Sequence, residues 1–171
     1  MPEPLKLVRI SNFLLRKICE EANRRYPYET GGILMGYYEP NGEGTVTEII
    51  GPGPRAKHRR SSFEPDYDFQ EKEVAAVYGK SMSQYTYIGD WHTHPNGTGT
   101  LSKADRTTMQ GISRCPKARC TTPIMLLLVG NPRMWLPQLW ELSEDDSHRG
   151  IELRVSEPGN SQTQDPIARV E

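Results

Sequence analysis

This chain of 171 residues has few cysteines, no long apolar run and no excess of charge of either sign. Each shortage excludes something. Its three cysteines, Cys19, Cys115 and Cys120, are odd in number and form no CxxC pair. That argues against a disulfide scaffold, and they are expected to be reduced and buried or incidental. The alternative is a disulfide clipping the loop between Cys115 and Cys120. No apolar run approaches the ~20 residues of a membrane span. Lys and Arg total 21 against 22 Asp and Glu, a net charge of -1. That balance gives no electrostatic basis for binding nucleic acid or an anionic membrane. The opening MPEPLKLVRI lacks an apolar signal core, so a cytoplasmic protein is expected. What is present, 35% hydrophobic and 25% charged residues, suits a soluble globular chain of one domain.

The periodicities give an order of elements. Ser11 can cap a helix to about Arg25, with Leu14, Leu15, Ile18, Cys19 and Ala22 as its apolar stripe. Strands Ile33–Tyr38 and Thr45–Ile50 flank a Pro-Asn-Gly turn and predict a hairpin. Arg55–Arg60 is basic, either a contact patch for an acidic partner or a charged edge strand. Asp66 can cap a helix over Tyr67–Tyr78, with Tyr67, Gln70, Val74, Val77 and Tyr78 on one side and Gly79 ending it. A helix from Lys103 to about Ser113 precedes a loop over Arg114–Thr122. Ile124–Val129 is apolar without alternation, as in a strand buried on both faces. Met134–Leu142 reads as a strand in which Pro137 demands an edge or a bulge. Ile151, Leu153 and Val155 alternate as a short last strand. The order predicts an α/β domain over residues 1–155 with a mixed sheet, and a loose tail over 156–171.

The chemistry concentrates in Tyr85–Asp105, YTYIGDWHTHPNGTGTLSKAD. Alternation along a strand puts Tyr85, Tyr87, Gly89, Trp91 and Thr93 on one face. Ile88, Asp90, His92 and His94 take the other. The two histidines then lie about 6.6 Å apart, close enough to tilt onto one ion. Pro95 is expected to stop the ladder and Asn96–Gly99 to form a loop. Seven residues after His94, Ser102 stands at a helix start, and Asp105 falls one turn inside. His, His and Asp are zinc-type ligands, and a catalytic zinc takes three protein ligands and a water. Singly, the histidines can be surface residues, and Ser102 with Asp105 a plain capping box. Together, after a strand and a glycine-rich turn, they predict a metal site.

With Glu29 in Tyr28-Glu29-Thr30-Gly31-Gly32, this pattern resembles the JAMM or MPN-plus zinc isopeptidases. Their motif is an upstream Glu, His-Ser/Thr-His, seven residues, Ser, two residues and Asp. The resemblance covers Ile10 to Leu142 and implies a JAB-type fold: a curved mixed β-sheet flanked by helices, related to cytidine deaminases. The deaminase signature itself, His-x-Glu with Pro-Cys-x-x-Cys, is absent. The likeness implies that His92, His94 and Asp105 bind one zinc and that Glu29 is the general base. Ser102 would stabilise the oxyanion, with Gly31 and Gly32 letting backbones approach closely. Asp90 is a candidate acceptor orienting His92, or a structural residue; Trp91 is expected in the core.

The implied substrates are bonds after the C-terminal glycine of ubiquitin-like proteins, held as an extended strand. Lys57–Phe63 and Asn96–Thr100 are the expected groove walls. More narrowly, GPGPRAKHRRSSFEPD and GDWHTHPNGTGTLSKADR are similar to bacterial JAB proteins of antiphage operons. That likeness implies an E1–E2-like fusion and a cyclic-oligonucleotide synthase as partners, the synthase C-terminus being the conjugated group. Three other readings remain: a peptidase maturing a sulfur-carrier protein, a metal-free MPN binding scaffold, and a two-His-one-carboxylate iron oxygenase. In the last, the carboxylate usually sits beside a His, whereas Asp105 lies a loop away.

Overall fold

The computed structural model describes residues 3–157. In chain order its elements are β1 (Leu7–Ser11), α1 (Asn12–Arg25), β2 (Gly31–Tyr38), β3 (Glu43–Ile50), β4 (Lys57–His58) and β5 (Phe63–Glu64). There follow α2 (Tyr67–Lys80), β6 (Thr86–Pro95), α3 (Lys103–Ser113), β7 (Ile124–Asn131), β8 (Met134–Leu142) and β9 (His148–Ser156). Seven strands form one mixed sheet in the order β1-β3-β2-β6-β7-β8-β9, curved until it closes as a barrel. The hairpin β2–β3 is antiparallel, and β6 runs parallel to β7. Strand β1, which no sequence pattern announces, lies parallel to both β3 and β9 and closes the ring. The small hairpin β4–β5 is a separate two-stranded sheet. Most of the expected tail, 158–171, lies outside the described residues.

The apolar run at β7 has a two-sided explanation. Ile124, Leu126 and Leu128 join a cluster with Val8, Ile10, Leu34 and Trp91. Met125 and Leu127 face the other way, against Met109 of α3 and Leu142. Each fully buried side chain of this size contributes about 1.5–3 kcal/mol, so β7 is a main source of stability. Helix α1 starts where expected: the Ser11 side chain accepts from the Leu14 N–H. Its Leu14, Ile18 and Ala22 pack on the first cluster. At Pro137 the β8–β7 pairing continues, while β9 reaches only Leu139–Leu142, so the proline has the free edge it needs.

Two expectations are corrected. Strand β6 carries a bulge: Leu34 pairs with Gly89 and Met35 with Tyr87, leaving Ile88 unpaired. The extra residue reverses the alternation there. Ile88 therefore joins Trp91 in the core, and Tyr87 turns to the histidine side, where its hydroxyl reaches Asp90. The β6–β7 ladder ends at Pro95, as expected, opposite Gly130. Helix α2 passes through Gly79 to Lys80, with Ser81 as its C-cap. In that helix only Gln70 is buried, and Tyr67 is 67% exposed.

Candidate metal centre

Three local rules bring the candidate ligands together. Beyond the bulge, alternation along β6 sends Trp91 and Thr93 inward and His92 and His94 to the opposite face. Helix α3 packs over that face through Met109. Ser102 is its N-cap, which sets Asp105 at the third helical position, facing the strand. The ligand atoms of His92, His94 and Asp105 all lie within 4.8 Å of one another.

The distances suit one ion. His92 Nε2 and His94 Nε2 are 2.9 Å apart. His92 Nε2 lies 3.0 Å from Asp105 Oδ1, and His94 Nε2 lies 3.4 Å from Asp105 Oδ2. Ligand atoms held at about 2.0–2.2 Å by one tetrahedral ion are about 3.3 Å from each other. Two imidazole nitrogens and one carboxylate suit a divalent transition metal. The tautomer of His94 is also right. Its Nδ1–H donates to the Thr98 carbonyl at 2.9 Å, which leaves the Nε2 lone pair facing the cluster. The side chains are nearly closed to solvent, 12% exposed for His92, 13% for His94 and 9% for Asp105.

Electrostatics tie the three together. Burial alone would raise the Asp105 pKa, but its close contacts with the His92 and His94 rings hold it well below the usual carboxylate range. The Asp105 carboxylate beside it raises that of His94, against burial. Ser102 and Asp105 also form a complete capping box. The Ser102 N–H donates to Asp105 Oδ2 at 2.6 Å, and the Asp105 N–H to Ser102 Oγ at 3.1 Å. Capping and site chemistry do not compete here. Ser102 Oγ accepts from the helix, and its own O–H remains available to donate toward the groove that it lines.

Glu29 lines the same groove just before β2. Burial pushes its pKa up to about 7, with His94 pulling down and Asp105 pushing up. Its neighbour is fixed to β6: the Thr30 N–H donates to Thr93 Oγ1 at 3.0 Å, and the Thr93 N–H to the Thr30 carbonyl at 2.9 Å. Thr93 was a findable residue, because a polar side chain on a core face needs a partner. Gly31 and Gly32 permit the approach. A Cβ on Gly31 would lie 2.6 Å from the Trp91 carbonyl oxygen and 2.8 Å from His92 Cβ. One on Gly32 would lie 1.9 Å from the Ile50 carbonyl oxygen.

Asp90 does not orient His92. It accepts from the Tyr87 hydroxyl at 2.9 Å, and burial raises its pKa to about 6. Trp91 is 1% exposed, with its indole N–H donating to the Ile50 carbonyl. All three cysteines are free thiols, Cys120 buried and Cys115 exposed, so no disulfide clips their loop. Part of each expected groove wall lines the groove: Arg60–Phe63 of the first, and Gly97, Thr98 and Thr100 of the second, but not Lys57–Arg59, Asn96 or Gly99. The groove encloses about 1480 Å³ and continues between α2 and α3. Among the described residues no helix is long and apolar enough to cross a membrane.

Fold and site together define a class: a β-barrel α/β domain with a candidate metal centre in a deep groove. The family is narrower. Residues 11–143 match the model of prokaryotic homologs of the JAB domain, and the chain belongs to that family. It is 40% identical over 136 residues to a probable metalloprotease of Sinorhizobium fredii, covering 79% of this chain and 83% of that one. It is 26% identical over 129 residues to a CD-NTase/cGAS isopeptidase of Enterobacter hormaechei, covering 75% and 70%. A solution structure of a protein from Desulfitobacterium hafniense shares the fold, with a TM-score of 0.64 at 15% identity over 88% of this chain and 93% of that one.

Proposed function

We propose that this protein is a zinc-dependent isopeptidase that cuts the amide bond after the C-terminus of a conjugated or ubiquitin-like protein. The observation that carries the reading is the His92, His94 and Asp105 cluster in one groove with Glu29. The names of the relatives, metalloprotease and CD-NTase/cGAS isopeptidase, support the reaction class and a conjugated protein as substrate. A cyclic-oligonucleotide synthase conjugated by an E1–E2-like fusion, in antiphage defence, is the substrate this reading favours. The catalytic domain in this reading is residues 1–155, acting in the cytoplasm.

His92 Nε2, His94 Nε2 and the Asp105 carboxylate would hold the zinc. When bound, zinc supplies Lewis acidity and lowers the pKa of water toward ~7. The Glu29 carboxylate takes a proton from the attacking water and returns it to the leaving amine. Burial raises the Glu29 pKa above the usual carboxylate range, the direction that suits a group that must both take and return a proton. The Ser102 O–H donates to the scissile carbonyl oxygen as negative charge grows there. The carbon–nitrogen bond breaks, leaving a free C-terminal carboxylate and a free amine. An extended tail lies in the groove between Phe63 and Thr98–Thr100.

The test uses a CD-NTase joined through its last residue to green fluorescent protein. Wild type should release the two parts at that junction, as read by mass spectrometry. Glu29→Gln should retain zinc and lose 10²–10⁴-fold in rate. Equal rates for the two would remove Glu29 from the chemistry. A zinc-loaded wild type that leaves the junction intact would overturn the substrate assignment.

A further inference from the structure

The hairpin β4–β5 makes two hydrogen bonds to one residue of the groove, and that residue is Glu29. The Glu29 N–H donates to the Arg59 carbonyl at 2.8 Å. On the other side of the same residue, the Glu29 carbonyl oxygen lies 2.9 Å from His58 Nδ1. A carbonyl can only accept, so Nδ1 carries the hydrogen and donates. The His58 ring is itself held, 5.4 Å from the Phe63 ring across the hairpin. Phe63 in turn sits over Gly31, where an added Cβ would come within 2.9 Å of Phe63 Cε1. The Arg59 N–H donates to the Ser62 carbonyl, closing the hairpin turn.

We propose that His58 is a positioning residue for Glu29: it fixes the Glu29 main chain from the hairpin side, as Thr93 fixes Thr30 from the β6 side. Glu29 precedes β2 and has no ladder partner of its own. Without His58 its peptide is held on one side only. This inference rests on the assignment of Glu29 as the base, because it says what sets that carboxylate's place. It also gives the basic segment Arg55–Arg60 a role beyond a charged edge: its one histidine acts through the imidazole N–H, not through charge.

Two variants separate hydrogen bonding from packing. His58→Phe keeps a ring against Phe63 and removes the donor. His58→Asn removes the ring and keeps a donor in the Nδ1 position. The first readout needs no substrate. In the zinc-loaded full chain, long-range proton–nitrogen spectra should show His58 as the Nδ1–H tautomer. Exchange of the Glu29 amide should quicken at least about 10-fold in His58→Phe and stay within about 3-fold of wild type in His58→Asn. The second readout is cleavage of the CD-NTase fusion. A misplaced group of about 1 Å costs up to about 100-fold, so kcat should fall 10- to 100-fold in His58→Phe. KM and zinc content should be unchanged, and His58→Asn should recover most of the rate.

An Nε2–H tautomer, or equal exchange in His58→Phe and wild type, overturns the proposal. So does a His58→Asn enzyme as slow as His58→Phe, which would mean that ring packing alone matters. If the wild type fails to cut the fusion, the substrate assignment falls, while tautomer and exchange still decide whether His58 holds Glu29.

Discussion

Asp105 caps α3 and, in the proposed function, holds zinc; the two roles can be separated by temperature. Its carboxylate caps α3 through the Ser102 N–H and faces both histidines. Zinc at 100 times its dissociation constant stabilises a folded chain by about 2.7 kcal/mol. For a chain of this size that raises Tm by about 5–11 °C, at about 2–4 °C per kcal/mol. Asp105→Ala removes one of three protein ligands. Loss of an outer partner alone costs 10- to 100-fold in affinity, so about 100-fold is a modest expectation here. At the same zinc concentration the remaining stabilisation is about 0.4 kcal/mol, a shift of about 1–2 °C. Ser102→Ala is the control. It removes the cap acceptor and costs about 1 kcal/mol in the absence of metal, but it leaves all three ligands and should keep the full zinc shift. Differential scanning calorimetry with and without zinc reads both. If Asp105→Ala keeps the full shift, Asp105 is a helix cap and not a ligand.

Ser102→Ala should also lower kcat on the CD-NTase fusion by about 10²–10³-fold, the usual cost of one oxyanion donor; an unchanged kcat would leave Ser102 as a cap only. In chelated protein, the depressed Asp105 pKa contributes stability above about pH 4 that is lost as pH falls. The raised His94 pKa contributes stability below about pH 6.5 that is lost as pH rises through its folded value. Chelated wild type should thus gain most over Asp105→Ala between about pH 4 and 6.5, as read by denaturant titration across pH; a gain largest at pH 9 would contradict the pairing. Trp91→Ala should cost about 3–5 kcal/mol by calorimetry, because Trp91 fills the core behind the histidine strand.

What was legible in the sequence was what local geometry dictates. The period of two along β6 and the cap-to-third-position spacing at Ser102 and Asp105 need no long-range knowledge. β7 was legible because both of its faces are covered by apolar clusters. What was not legible depends on partners distant in the chain. The bulge at Ile88 exists only in the register of β6 against β2, so Tyr87 was assigned to the wrong face and the Asp90 bond was missed. The five residues of β1 make a strand only between β3 and β9. The side of α2 that carries Tyr67, Gln70, Val74 and Tyr78 is legible from its period, but that it lines the groove depends on where the helix packs. His58 carried no signal, since its partner is a main-chain carbonyl 29 positions away.

The central claim is that two imidazoles and a carboxylate hold one metal ion in the groove beside Glu29. Diffraction from crystals of the zinc-loaded protein, recorded on both sides of the zinc absorption edge, tests it most directly. The expected result is one anomalous peak bonded to His92 Nε2, His94 Nε2 and an Asp105 carboxylate oxygen, with Glu29 lining the same cavity. A peak on other residues, or full zinc loading with any of these three side chains turned away, would contradict it.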